Sequence, residues 1–228
     1  MDSLNCNGCG RCFADCPFSA VVVEPRTDGR RGPGLARVLP ELCVSCGICA
    51  GACPSSTPFR SIAELVTGID MPQRPLDTVR AELERILATR SAGPRIIVFG
   101  CDRAADVGAL ARADTGAVSL LCTGQLPPSF VEYALRGGAN GVLVTGCALE
   151  GCYFRQGNTL LEERLAGERE PHLRTSVPRE RLRVVWVDTG ELDRLDAELA
   201  AFRAALAGLA GARTGRIAPP KRKEASGG

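Results

Sequence analysis

Twelve cysteines in 228 residues carry the reactive chemistry of this chain. Eight of them form two runs near the N-terminus, Cys6, Cys9, Cys12, Cys16-Pro17 and Cys43, Cys46, Cys49, Cys53-Pro54. Each run reads C-x2-C-x2-C-x3-C-P, the spacing that holds [4Fe–4S] clusters in pairs, with the fourth cysteine of each run ligating the other cluster. The spacing therefore predicts Cys6, Cys9, Cys12 and Cys53 around one [4Fe–4S] cluster. It predicts Cys43, Cys46, Cys49 and Cys16 around a second. Three thiolates two residues apart let a tight loop wrap three corners of a cubane. Gly8, Gly10, Gly47 and Gly51 suit backbone that turns sharply beside sulfur. Pro17 and Pro54 are expected to stop a short helical turn near each crossing ligand. Zinc prefers two separate C-x2-C-type pairs and fits these regular runs less well. A disulfide scaffold fits a secreted chain, and Met1–Asn5 shows no charged-then-apolar layout. A chain with two such clusters moves electrons one at a time.

The remaining thiols are Cys101, Cys122, Cys147 and Cys152. Cys101, Cys122 and Cys147 each follow a strand-like run, and Cys152 lies in the loop after the third. In an open parallel sheet, ligands bind at the carboxyl ends of the strands, so all four are expected at one edge. Gly100, Gly124, Gly146 and Gly151 flank them and allow close backbone approach. Four such thiols could hold [2Fe–2S], [4Fe–4S] or zinc. Cys147 and Cys152 could instead form an active dithiol, and all four could be small buried apolar residues.

The elements that must position these groups divide the chain in four. Residues 1–60 read as an α+β two-cluster ferredoxin-like segment. Val21–Glu24 and Leu35–Leu39 are short strands joined by the Gly/Pro/Arg-rich hairpin loop Pro25–Gly34. The first cysteine arrives too early for the leading strand of a symmetrical ferredoxin, which predicts an edge completed by a partner. Residues 61–94 read as a helical connector, with a short helix over Arg60–Thr67. A second helix, capped by Asp77, presents Val79, Leu83, Ile86 and Leu87 and ends at Ser91-Ala92-Gly93-Pro94. Residues 95–210 alternate strands and helices. Strands are expected at Arg95–Phe99, Ala117–Leu121, Gly141–Thr145 and Leu182–Val187, each apolar and suited to burial on both faces. Ser129–Glu132 and Thr159–Glu162 have the capping-box pattern. Leu192, Leu195, Leu199, Phe202, Leu206 and Leu209 form one apolar stripe on a last helix. The expected architecture is an α/β domain with a four-stranded parallel sheet flanked by helices. Residues 211–228 read as a disordered tail.

Composition narrows the function. Net charge is +2, which disfavours a dedicated nucleic-acid binder, and Lys221-Arg222-Lys223 is a short basic run in the expected tail. No apolar run reaches the ~18 residues of a transmembrane helix, so no direct membrane insertion is expected. The cysteine content points to a reducing, cytoplasmic setting. The single histidine, His172, has no cysteine near it in sequence and reads as a loop residue. Its isolation removes Rieske ligation and most nucleophile–histidine schemes. No G-x-G-x-x-G after a strand and no Walker loop is present.

Phe99-Gly100-Cys101, Leu121-Cys122-Thr123-Gly124, Gly137 to Cys147, Gly151-Cys152-Tyr153 and Gly157-Asn158, with Trp186-Val187 and Glu191, resemble the delta subunit of the methyl-viologen-reducing hydrogenase, over roughly residues 95–205. Cys46 to Phe59 resembles the two-cluster segment of the flavoprotein component of heterodisulfide reductase. The resemblance implies a [2Fe–2S] cluster on the α/β domain, with Cys101, Cys122, Cys147 and Cys152 as the available ligands. Ala104 stands where the family commonly has a second cysteine, and Tyr153 where it commonly has histidine. It also implies docking to a heterodisulfide reductase-like flavoprotein and to a hydrogenase or other dehydrogenase subunit. The expected function is thus a non-catalytic electron-transfer component of an oxidoreductase complex. The competing expectations are a thiol-disulfide reductase using Cys147 and Cys152, and an iron–sulfur redox sensor.

Overall fold

The computed structural model describes residues 1–30, 32–59, 67–89 and 93–210. Most of the helix expected over 60–67, the Ser91-Ala92 stop and the tail at 211–228 fall outside the described residues.

The N-terminal part is built twice from the same local plan. A left-handed glycine opens a short helix in each run: Gly10 before α1 (Arg11–Ala14) and Gly47 before α2 (Ile48–Ala52), with φ of 77° and 80°. Both helices stop just before the crossing cysteine and its proline, as the sequence predicts. Between the runs, β1 (Val21–Glu24) and β2 (Leu35–Val38) pair antiparallel, with Val21 opposite Val38 and Glu24 opposite Leu35. Arg26, in the loop between them, donates to the carbonyls of Cys6 and Gly34 and so ties the first cysteine loop to the hairpin. Asp2 N–H donates to Gly68 O, and Ile69 joins Cys12, Val21 and Ala36 in a buried cluster. The segment at Gly68 and Ile69 thus packs beside the first cysteine loop.

In the connector, α3 (Leu76–Ala88) starts earlier than expected. Asp70 rather than Asp77 receives the Leu76 N–H, at 3.1 Å, while Asp77 pairs with Arg80 inside the first turn. Val79 and Leu83 are buried, and Ile86 and Leu87 pack against the same core.

The second part is a parallel sheet of β3 (Ile96–Cys101), β4 (Thr115–Leu120), β5 (Gly141–Gly146) and β6 (Leu182–Trp186), in the order β4-β3-β5-β6. Only β3 and β5 are buried along their whole length; β4 and β6 are edges with partly exposed residues. On one face α3, α4 (Ser129–Arg136) and α5 (Gly157–Ala166) pack on Ile97, Phe99, Val118, Val142 and Val144. On the other, α6 (Leu192–Ala210) lays Leu195, Leu199, Phe202 and Leu206 on Ile96, Val98, Leu143 and Val185. The first crossover has no α-helix, only the short 3-10 turn Val107–Leu110. The two capping boxes are not formed: α4 begins at Ser129 and α5 at Gly157, neither with a side-chain cap. Pro128 and Gln156 occupy those caps, so the serine and threonine fall inside the helices.

The two parts share a packed boundary. Ala50 of α2 belongs to the core of the sheet's helical face. Gly51 packs on the Cys122 loop so closely that a Cβ there would stand 2.1 Å from Gly124 O. Gly51 is thus a close-approach glycine, not one of the turning glycines. Among the described residues no helix is long and apolar enough to cross a membrane.

Candidate metal centres

All twelve cysteines are free thiols. Among the described residues no three His, Cys, Asp or Glu side chains close on a single-ion position. The two N-terminal sets each line a wider space. Cys6, Cys9, Cys12 and Cys53 line one small cavity, with Gly8, Gly10 and Ala36. Burial and then the neighbouring Cys53, Cys9 and Cys6 push the Cys12 thiol up to about 12. The three sulfurs that act on Cys12 are the ones the crossed pattern assigns beside it.

Cys16, Cys43, Cys46 and Cys49 line a second cavity of about 290 Å³, closed by Phe18, Val21, Val38, Ile48 and Met71. Burial first, then Cys16 and Cys43, raise Cys46 to about 11. Burial raises Cys49 further, with Cys46, Cys12, Cys43 and Cys16 adding to it. Cys12 among these neighbours shows that the two spaces adjoin. Ala20 N–H donates to Cys16 Sγ at 3.3 Å. The residues fit the pairs of [4Fe–4S] clusters that the spacing implies: four sulfurs around each of two adjoining spaces, with apolar walls.

The third set lies where the sheet topology reverses. From β3 the chain goes to β4 on one side and then returns to β5 on the other, which is the switch-point crevice of an open parallel sheet. Cys101 ends β3, and the register sets it opposite Leu120 and Gly100 opposite Thr145. Cys122 and Cys147 therefore emerge just beyond the neighbouring strands. The four sulfurs form a closed ring: Cys101 and Cys152 each interact with both Cys122 and Cys147. Contact with Cys122 and Cys147 holds the Cys101 and Cys152 thiols well below the ordinary range, and the same contacts raise Cys122 and Cys147. Backbone amides act to lower all four, reinforcing the shift at Cys101 (Thr123) and Cys152 (Gly157 and Asn158) and opposing it at Cys122 (Gly124) and Cys147 (Tyr153). Hydrogen bonds of this kind to sulfur tune an iron–sulfur centre. The donor set suits an all-thiolate centre. Ala104, at the family's cysteine position, packs into this same group with Cys101 and Cys147.

Several supporting residues were not singled out as functional from sequence. Arg103 N–H donates to Cys101 Sγ at 3.4 Å, its carbonyl accepts from Cys147 Sγ, and its guanidinium lies 5.0 Å from the Tyr153 ring. Buried Asn158 donates to the carbonyls of Cys147 and Ala148 and fixes the Cys152 loop. Gly157 lets α5 approach the ring, since a Cβ there would stand 2.0 Å from Cys122 Sγ. The Gly157-Asn158 pair carried part of the family resemblance, and that was its only signal. His172 lies in a loop, 3.2 Å from Glu170, and takes no part in any set.

The second and third sets meet. Cys46, Ile48, Cys122, Phe154 and Leu160 form one buried apolar cluster across the boundary. Ile48, fully buried, sits against Gly124 and Gly157 between the two cysteine loops.

Comparison with known proteins finds relatives of both parts of the chain. The 4Fe–4S dicluster domain matches residues 5–57. The methyl-viologen-reducing hydrogenase delta subunit matches residues 96–210. The chain is 27% identical over 134 residues to a subunit of the ferredoxin:CoB-CoM heterodisulfide reductase of Methanosarcina mazei, covering 55% of this chain and only 17% of that protein. It is 29% identical over 106 residues to the F420-non-reducing hydrogenase iron-sulfur subunit of Archaeoglobus profundus, covering 43% of this chain and 77% of that one. It is 47% identical over 51 residues to a subunit of the Na(+)-translocating ferredoxin:NAD(+) oxidoreductase complex of Acetobacterium woodii, covering 22% of this chain and 13% of that one. The chain belongs to the methyl-viologen-reducing hydrogenase delta-subunit family, here joined to an N-terminal 4Fe–4S dicluster domain.

Proposed function

We propose that the chain is a non-catalytic electron-transfer component of an oxidoreductase complex, holding three iron–sulfur centres in a row. Cys6, Cys9, Cys12 and Cys53 hold the first [4Fe–4S] cluster, and Cys43, Cys46, Cys49 and Cys16 the second. Cys101, Cys122, Cys147 and Cys152 hold a [2Fe–2S] cluster. When bound, these groups supply one-electron carriers at spaced positions. The chain's own residues supply ligation, apolar walls that exclude water, and amide donors that set charge at the sulfurs. The observation that carries the reading is the shared apolar cluster of Cys46, Ile48 and Cys122, which brings the second set against the third. The relatives' names suggest a flavoprotein of the heterodisulfide reductase type on one side and a hydrogenase or other dehydrogenase subunit on the other.

Anaerobic reconstitution followed by iron analysis tests it. Three loaded sets give about ten irons per chain, and about eight would remove the third centre. Isolation of the native complex under anaerobic conditions tests the partners: recovery of a flavoprotein with a dehydrogenase subunit is expected, and a solitary active monomer would count against it.

A second reading rests on the direct interaction of Cys147 with Cys152. On that reading the pair reduces disulfides with electrons from the N-terminal part. Alkylation of the two would then abolish disulfide reduction without changing iron content.

A further inference from the structure

Arg164, on α5, is the largest fully buried side chain among the described residues. Its Nη2 pairs with Asp15, and the two side chains are 0% and 2% exposed. Its Nη1 donates to Gly124 O at 2.9 Å, and its Nε has no hydrogen-bond partner. Arg169 donates to the other Asp15 oxygen at 2.9 Å and also pairs with Glu163. The place of this group matters more than its strength. Asp15 directly precedes Cys16, a ligand of the second set. Gly124 closes the Cys122 loop of the third set and bonds that sulfur. Arg164 thus joins the two cysteine loops through a carboxylate on one side and a carbonyl on the other. Gly51 is packed against both Gly124 O and Arg164 Nη1, so no side chain fits between α2 and the guanidinium at that position.

A buried ion pair is a poor way to gain stability, since apolar residues of similar volume usually do as well or better. Retaining one between two sites that change charge has a functional reason. Its cation lowers the cost of placing an electron on either side, and its fork fixes the gap that the electron crosses. We propose that Arg164 is the positioning residue of an internal junction, holding the second and third cysteine sets at a set separation and sharing its charge with both. The step it serves is the passage of one electron from one centre to the other, with no bond made or broken. The electron is supplied by the external one-electron reductant.

This inference rests on the three-centre reading above. The test uses the full chain, reconstituted anaerobically, as wild type, Asp15→Asn, Arg164→Met and Arg169→Gln. Iron content and the EPR spectra of dithionite-reduced protein come first. Midpoint potentials by EPR-monitored titration and internal electron equilibration after flash photoreduction follow. Removing an anion and removing a cation have opposite electrostatic signs, so Asp15→Asn should raise the potentials of the flanking centres and Arg164→Met should lower them. Both should slow equilibration about tenfold, because breaking a buried pair leaves an uncompensated charge at the boundary. Arg169→Gln, more exposed, should follow Arg164→Met with a smaller shift. A purely structural role would move the potentials of both variants the same way, or not at all, and either result overturns the proposal. If Arg164→Met does not fold, the opposite signs of Asp15→Asn and Arg169→Gln decide it. A wild type that binds no iron overturns the three-centre reading and this inference together. A loaded wild type whose variants match it overturns this inference alone.

Discussion

The N-terminal cysteines and those of the sheet part are held by different means. Six of the first eight lie in two short loops around α1 and α2, so local spacing alone brings three sulfurs of each set near one another, and one crossing cysteine completes each set. The four of the second part are carried by the ends of three strands and one loop, and only the sheet register assembles them. Local assembly costs little loop-closure entropy, whereas the strand-end ring depends on the whole α/β core. The first arrangement should therefore survive damage to the sheet, and the second should not.

The largest effect expected from breaking this contrast is at a crossing ligand. Cys16→Ala should remove the second [4Fe–4S] cluster, lowering iron by about four per chain, while the first set and the third keep theirs. Iron analysis with EPR checks it; loss confined to the first set would undo the crossed assignment. Next comes the core beneath the strand ends. Leu199→Ala on α6, fully buried, should cost about 2–5 kcal/mol by denaturant titration. Iron should then be lost from the third set at lower denaturant than from the first two, and simultaneous loss from all three would erase the distinction. The boundary itself is tested by Gly51→Ala, whose new Cβ would press on Gly124 O. Overpacking of that kind costs about 1–3 kcal/mol, and two separated unfolding transitions should appear where the wild type shows one. The smallest effect is at His172, in its exposed loop pairing with Glu170. His172→Asn should change stability by no more than about 0.5 kcal/mol and leave iron content unchanged.

The elements that sequence placed well are those with a strong repeating pattern. The stripe Leu195, Leu199, Phe202 and Leu206 faces the sheet as its spacing requires, and the four strands fall within two residues of their expected bounds. Helix starts were placed less well. Ser129 and Thr159 have capping chemistry, but Pro128 and Gln156 occupy those caps because tertiary packing sets where α4 and α5 begin. Likewise Asp77, expected to cap α3, lies inside its first turn, and Asp70, just before the helix, receives the amide of Leu76. Edge strands also escaped the pattern: β4 and β6 are apolar enough to read as central, and only the strand order exposes them.

The iron chemistry of the N-terminal runs was legible in their residues, because a C-x2-C-x2-C-x3-C-P spacing is local and a short loop has few ways to arrange it. So was the parallel α/β sheet of the second part, because apolar periodicity is set residue by residue. Tertiary structure alone decided that the four later thiols close into a ring, that Ile48 stands between the second and third sets, and that Asp15 meets Arg164 across the boundary. Those contacts join residues far apart in the chain, and such pairings depend on register and packing that no local pattern records.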